Sequence, residues 1–135
     1  MACLDTTVLL DLIGRGGRRK QAAAELKMRQ LEHDLPHSIT RFNFAELLVG
    51  FELATNLERE RAVFDRILAR LRILEFDAKS MRLYAAIFVR LHALELLPGT
   101  MDMLIASVAL AHGQRLVTRN VRHFEYIPGL RVETY

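Results

Sequence analysis

The chain has one cysteine, Cys3, and three prolines in 135 residues, and no tryptophan. A single cysteine excludes a disulfide within the chain and suits a reducing compartment. The five histidines show no HxH or HExxH spacing and no CxxC exists, which argues against a zinc site. Long hydrophobic runs are also missing. The longest, Met103 to Ala111, is far too short to span a membrane. The opening Met-Ala-Cys-Leu-Asp lacks the basic segment of a secretory leader. The expectation is a soluble, cytoplasmic protein without a membrane role. A net charge of +3 is mild, permitting a polyanionic partner without requiring one.

Hydrophobic residues make up 51% and charged residues 26%, enough apolar material for an ordinary core. With no repeat, low-complexity stretch or linker, residues 1–135 read as one domain. Met1 to Leu4 is a short apolar run, and Val8 to Ile13 turns helical until Gly14, Gly16 and Gly17 interrupt it. A helix resumes over Arg18 to Glu32, and Ser38-Ile39 reads as a strand. Phe44, Leu47, Leu48 and Phe51 recur at helical spacing. Glu58 to Leu71 reads as a charged amphipathic helix with Glu58–Arg61 and Arg61–Asp65 as local pairs. Ile73 to Phe76 is a strand, and Asp77 caps a helix whose inward face would be Met81, Tyr84, Ala85, Phe88 and Leu91. Thr100 would cap the next helix, ending near His112-Gly113. Arg115 to Thr118 and Leu130 to Glu133 are the last strands. Short apolar runs alternating with helices predict an α/β fold around a parallel sheet, with ligands beyond the carboxyl ends of the strands. Asp5-Thr6-Thr7 and Thr118-Arg119-Asn120 leave strands at that edge.

Most acids here have routine work in helix-surface pairs or caps. Glu46 does not. Its helical neighbours Phe42, Asn43, Val49 and Gly50 include no base, and Gly50 implies a closely approached surface. Asp102 precedes a helix apolar nearly all round, where its bland role is an acid favouring the helix dipole. For Asp5 the bland role is a cap for the helix that follows. If all three face one crevice, a proton or a cation must relieve their repulsion, and oxygen ligands suit Mg²⁺ or Mn²⁺.

Four segments, taken in order, resemble the PIN-domain pattern: Leu4-Asp-Thr-Thr-Val-Leu-Leu, Phe44-Ala-Glu-Leu-Leu-Val-Gly, Asp102-Met-Leu-Ile-Ala-Ser and Leu116-Val-Thr-Arg-Asn-Val-Arg-His-Phe. Within that family the chain is similar to the VapC toxins of bacterial and archaeal toxin–antitoxin pairs. The resemblance runs the length of the chain. It implies a PIN-like fold, a central parallel sheet of about five short strands flanked by helices, and Mg²⁺- or Mn²⁺-dependent cleavage of RNA. It places Asp5, Glu46 and Asp102 as metal ligands and Asn120 beside them as a fourth catalytic position, where the family often has Asp. Asn keeps a carbonyl oxygen but loses a charge, which argues against a tight second metal site. Thr6 and Thr118 are candidates to hold the ligating carboxylates. A homodimer and a VapB-type antitoxin covering the acidic crevice are implied as partners.

Arg119 and Arg122 flank Asn120, and Arg15 and Arg18 belong to the densest basic cluster; these four are expected at the RNA backbone. His123 is near the site by sequence. Tyr126 and Phe124 offer rings for base stacking, against the blander role of packing. Cys3 reads as packing. Two other functions compete: a catalytically inactive PIN-fold module binding RNA or protein, which Asn120 favours, and a phosphoryl-transfer hydrolase using Asp5 as nucleophile. The latter would want a second Asp where Thr7 stands.

Overall fold

The structure, a computed structural model, describes residues 1–54 and 57–135. Five short strands, β1 (Ala2–Leu4), β2 (Ser38–Thr40), β3 (Arg72–Leu74), β4 (Arg115–Val117) and β5 (Val132–Glu133), form one sheet. Its order is β3-β2-β1-β4-β5 and every pairing is parallel. Parallel strands need crossovers, which here are α1 (Thr6–Leu12), α2 (Arg18–Gln30), α3 (Arg41–Glu52), α4 (Leu57–Leu68), α5 (Ala78–Ala93) and α6 (Thr100–Ala111).

Alternation along the strands splits the interior into two layers. Ala2, Leu4, Ile39 and Val117 point to a face covered by Val8 and Leu9 of α1, Leu47 and Phe51 of α3 and Phe64 of α4. Cys3, Leu74 and Leu116 point to the opposite face, under Ile87 and Leu91 of α5 and Met103, Ile105 and Val108 of α6. All three β1 residues are fully buried. Burial on both faces explains why β1, Ala-Cys-Leu, reads as an apolar run without polar alternation. Truncating one of these buried Leu or Ile side chains to Ala would cost about 2–5 kcal/mol.

Three expectations need correction. The inward face of α5 is Ser80, Ile87 and Leu91, with Leu83 and Tyr84 partly buried against the core, while Met81 and Phe88 are 51% and 39% exposed. The sequence carries two overlapping stripes at helical spacing, and docking on α6 selects between them. Thr100 is the first residue of α6 rather than its cap, a position held by Gly99. Among the described residues, α4 pairs its charges outward, Glu60 with Arg15 of the α1–α2 loop, instead of through Glu58–Arg61 and Arg61–Asp65. That arginine also donates to the Gly50 carbonyl at 3.2 Å, so the close approach expected at Gly50 comes from Arg15. Asp77 caps α5 as expected, accepting from the Ser80 backbone N–H at 2.9 Å. No helix among the described residues is long and apolar enough to cross a membrane.

Candidate active site at the carboxyl edge of the sheet

Strand order reverses at β1: β2 and β3 lie on one side of it, β4 and β5 on the other. That is where an open parallel sheet leaves a crevice. The register of Leu4 opposite Val117 puts Asp5 beside Thr118 immediately past the strand ends. The Asp5 backbone N–H donates to the Val117 carbonyl at 2.9 Å, fastening the first turn after the strand.

Asp5 occupies the capping position of α1, yet its carboxylate does not cap that helix. It accepts instead from Asn43 Nδ2 on one oxygen (3.2 Å) and from Thr118 Oγ1 (2.7 Å) and Thr7 Oγ1 (3.2 Å) on the other. The side chain is thereby committed to the crevice and is only 5% exposed.

Asn43 was missed by sequence reasoning, which noted it only as a neighbour of Glu46. It is fully buried and completes a reciprocal cap at the start of α3. Thr40 Oγ1 accepts from its backbone N–H, and its Oδ1 accepts from the Thr40 N–H and hydroxyl. This leaves Nδ2 to donate to Asp5 and to Thr6 Oγ1. The sequence signal was Thr40-x-x-Asn43, a capping-box spacing with Asn in place of the usual Glu or Gln.

Thr6 passes the contact on, its hydroxyl donating to Glu46 Oε1 at 2.7 Å. Glu46 sits on α3 and Asp102 in the first turn of α6, two helices that pack together. Burial pushes the Glu46 carboxyl up, the Thr6 hydroxyl opposes this, and the charges of Asp5 and Asp102 push it further up. Asp102 is also raised, first by burial, with His123 opposing and Asp5 adding. Glu46 is thus influenced by the charges of both other acids and Asp102 by that of Asp5, although the three come from distant segments. Among the described residues no basic side chain of α3 neutralises Glu46. Asp102 has one partner, His123, whose Nδ1 lies 2.9 Å from Oδ2.

The donor set suits a hard divalent cation: all oxygen, partly buried and mutually repelling. Yet among the described residues no three His, Cys, Asp or Glu side chains stand in a ready-made ligand shell. The carboxylates are drawn toward Asn43 and Thr118, toward Thr6 and toward His123. Asn120 follows β4, its backbone N–H donating to Thr118 Oγ1 at 3.0 Å.

The four expected RNA-binding arginines separate. Arg119 turns its Nε to Asp11 Oδ2 at 2.9 Å, a carboxylate with no exposed surface that also accepts from Tyr135 Oη at 2.7 Å. Gly16 makes room for this, since a Cβ there would fall 2.2 Å from Asp11 Oδ1. Arg15 is held by Glu60 and Gly50 and lies over the Phe51 ring. Both are therefore occupied within the fold, which the sequence could not show because their partners are 35 to 108 residues away. Arg18 and Arg122 are exposed and, among the described residues, form no ion pair. Phe124 is 1% exposed and belongs to the core, whereas Tyr126 is 54% exposed. Cys3 is buried, and that burial pushes its thiol up, in keeping with packing.

The PIN domain family pattern matches residues 2–130. Ribonuclease VapC1 of Rickettsia felis is 32% identical over 135 residues, covering 97% of this chain and 93% of that protein. Ribonuclease VapC2 of the same organism is 35% identical over 98 residues, 73% of each. A crystal structure of VapBC2 from Rickettsia felis bound to a DNA fragment from its promoter contains a chain that superposes with a TM-score of 0.87. That match has 28% identity and covers 99% of this chain and 98% of that one.

Proposed function

The chain belongs to the PIN domain family and is a VapC-type ribonuclease, the toxin of a toxin–antitoxin pair; from that premise we propose that Asp5, Glu46 and Asp102 cut RNA internally with the help of Mg²⁺ or Mn²⁺. The observation that carries this reading is the hydrogen-bond chain by which Asn43 and Thr6 link the Asp5 and Glu46 carboxylates past the end of β1, with Asp102 on the helix packed against α3.

Asp5 and Asp102 would hold the cation, with Glu46 and Asn120 placed to orient water. When bound, such an ion makes water more acidic and draws charge from the phosphate. The chain's own residues do the rest. Asn43, Thr7 and Thr118 fix both oxygens of Asp5, as outer supports of ligating carboxylates generally do. Thr6 holds Glu46 Oε1, leaving Oε2 free to take the proton of an attacking water. Burial raises the Glu46 carboxyl, which makes it a better proton acceptor than an exposed glutamate. Attack in line with the 3′ oxygen leaves a 5′-phosphate and a 3′-hydroxyl.

RNA is the substrate in this reading, met in the cytoplasm, with Arg122 and Arg18 as the cations free for its backbone. A VapB-type antitoxin would silence the enzyme by covering the acids. A second copy of the chain would cover the exposed apolar residues Met81, Phe88 and Val89 of α5, giving a homodimer. All of residues 1–135 would act as one domain.

Incubating total RNA with the native chain and Asp102→Asn, with Mg²⁺, Mn²⁺ or chelator, tests the proposal. Cation-dependent cleavage with 5′-phosphate ends, lost in the variant, is expected. Cyclic phosphate ends would overturn the chemistry. Absence of both cleavage and cation binding would favour the competing binding module, which Asn120 and the unassembled ligand shell support.

A further inference from the structure

Beside Asp102 lies a hollow of about 400 Å³ between the end of α5, the start of α6 and the segment after β4. Leu91, Leu97 and Ile127 give it an apolar floor, and Asp102 forms part of its wall. Anything seated there is therefore adjacent to a carboxylate of the reaction centre. A volume of this size sits toward the small end of ligand pockets, which run from about 300 to 1,000 Å³. It suits one base with its sugar.

Three side chains around it are uncommitted or held at a cost. Tyr126 lines the hollow, is 54% exposed and forms no hydrogen bond among the described residues. Its ring is an open stacking face. Arg122 lines the hollow without a carboxylate partner among the described residues, in contrast to Arg15 and Arg119. It offers a cation to a phosphate. Glu95, also lining the hollow, has φ of +56°, the one non-glycine residue with positive φ among the described residues. It follows α5 at the position where helices usually place glycine, with its N–H on the His92 carbonyl and the Leu96 N–H on the Leu91 carbonyl. A side chain in that conformation is strained. Strain of this kind gathers at functional sites, where the side chain has a use.

We propose that this hollow receives one unpaired nucleotide of the RNA next to the scissile phosphate, its base stacked on Tyr126 over the apolar floor, its phosphate held by Arg122 and its identity read by Glu95. This rests on the ribonuclease reading above. Glu95 accepts hydrogen bonds and donates none. Guanine is the base whose Watson–Crick edge presents two adjacent donors, N1–H and N2–H, so the site selects guanine.

The test has two arms. In the first, the native chain, Glu95→Gln, Glu95→Gly, Tyr126→Ala and Arg122→Ala each cut a randomised single-stranded RNA pool, and the new ends are sequenced. Native ends are expected to carry guanine at one fixed position beside the cut. Glu95→Gln and Glu95→Gly lower that preference several-fold, and Glu95→Gly also raises Tm by releasing the strained backbone. Tyr126→Ala raises KM about tenfold with kcat within about twofold. Arg122→Ala weakens all sequences alike and lowers the salt slope of binding by about one. In the second arm, the Asp5→Asn chain binds fluorescent RNA hexamers that contain guanine or replace it with cytosine. Tighter binding of the guanine hexamer, lost on adding Glu95→Gln, is expected. A base profile indifferent to Glu95 and Tyr126 in a chain that still cuts RNA overturns the subsite and leaves the nuclease standing. Guanine-selective binding by a native chain that cuts nothing does the reverse. A shift in oligomeric state in Tyr126→Ala with an unchanged base profile would show that a second copy fills the hollow, which also overturns the proposal.

Discussion

His123 Nδ1 lies 2.9 Å from Asp102 Oδ2, so the segment after β4 is tied to the start of α6 through an acid of the crevice. With Asp102 ionised, the ring N–H is the donor in this contact. Asp102 is also one of the acids proposed to hold the cation. Removing the ring in His123→Ala is therefore expected to lower the Mn²⁺ concentration that half-saturates cleavage several-fold. A rise instead would make the ring a support that orients Asp102.

Asn43→Ala is expected to damage both fold and site. Losing the Asn43 half of the reciprocal cap leaves the buried Thr40 N–H and hydroxyl unpaired and costs about 1–3 kcal/mol, read by denaturant melts. Losing the donor on Asp5 lowers activity by about 10- to 100-fold, the usual cost of removing an outer support of a metal ligand. A variant that loses the stability but keeps full cleavage would confine Asn43 to capping.

The buried Asp11 charge depends on Arg119. In Arg119→Met the carboxylate keeps only Tyr135, and a loss of roughly 3–5 kcal/mol is expected. Adding Asp11→Asn should restore most of it, because the uncompensated charge goes with it. Cleavage by the double variant near the native rate would place Arg119 outside RNA contact.

The raised carboxyls of Glu46 and Asp102 make stability depend on pH with a definite sign. Both bind protons more tightly folded than unfolded, so their contribution is full below the ordinary carboxylate range and lost as pH rises through their raised folded values. Glu46→Gln and Asp102→Asn should therefore melt higher than the native chain at about pH 7.5, with the gain vanishing near about pH 4. Mg²⁺ or Mn²⁺ should raise the native Tm at neutral pH and do little for Asp102→Asn.

The exposed residues of α5 test self-association. Val89 is 68% exposed and Phe88 39%. Val89→Glu should leave the melting temperature within a few degrees while shifting light scattering from dimer to monomer. An unchanged mass would move the interface elsewhere.

Strand and helix identities were legible locally because they follow from periodicity, glycine breaks and the Asp77 cap. The order of acids along the chain was equally plain, and with it the family. Side-chain destinations were not. Arg119 and Arg122 look alike in sequence, flanking Asn120, yet one is bound by Asp11 and the other stands at the hollow. Asn43 stood out only as a helical neighbour of Glu46 and is a buried bridge between cap and acid.

What the sequence determined by itself was therefore the set of short-range choices: which segments extend, which coil, and which acids lack a neighbour within one helical turn. Tertiary structure alone decided which stripe of α5 faces inward, which arginines are free and how near Glu46 comes to Asp5 and Asp102. Those outcomes depend on partners dozens of residues away, brought together by strand order and helix docking. Local propensity carries no information about such contacts, because side-chain charge and packing act through space while propensity acts along the chain.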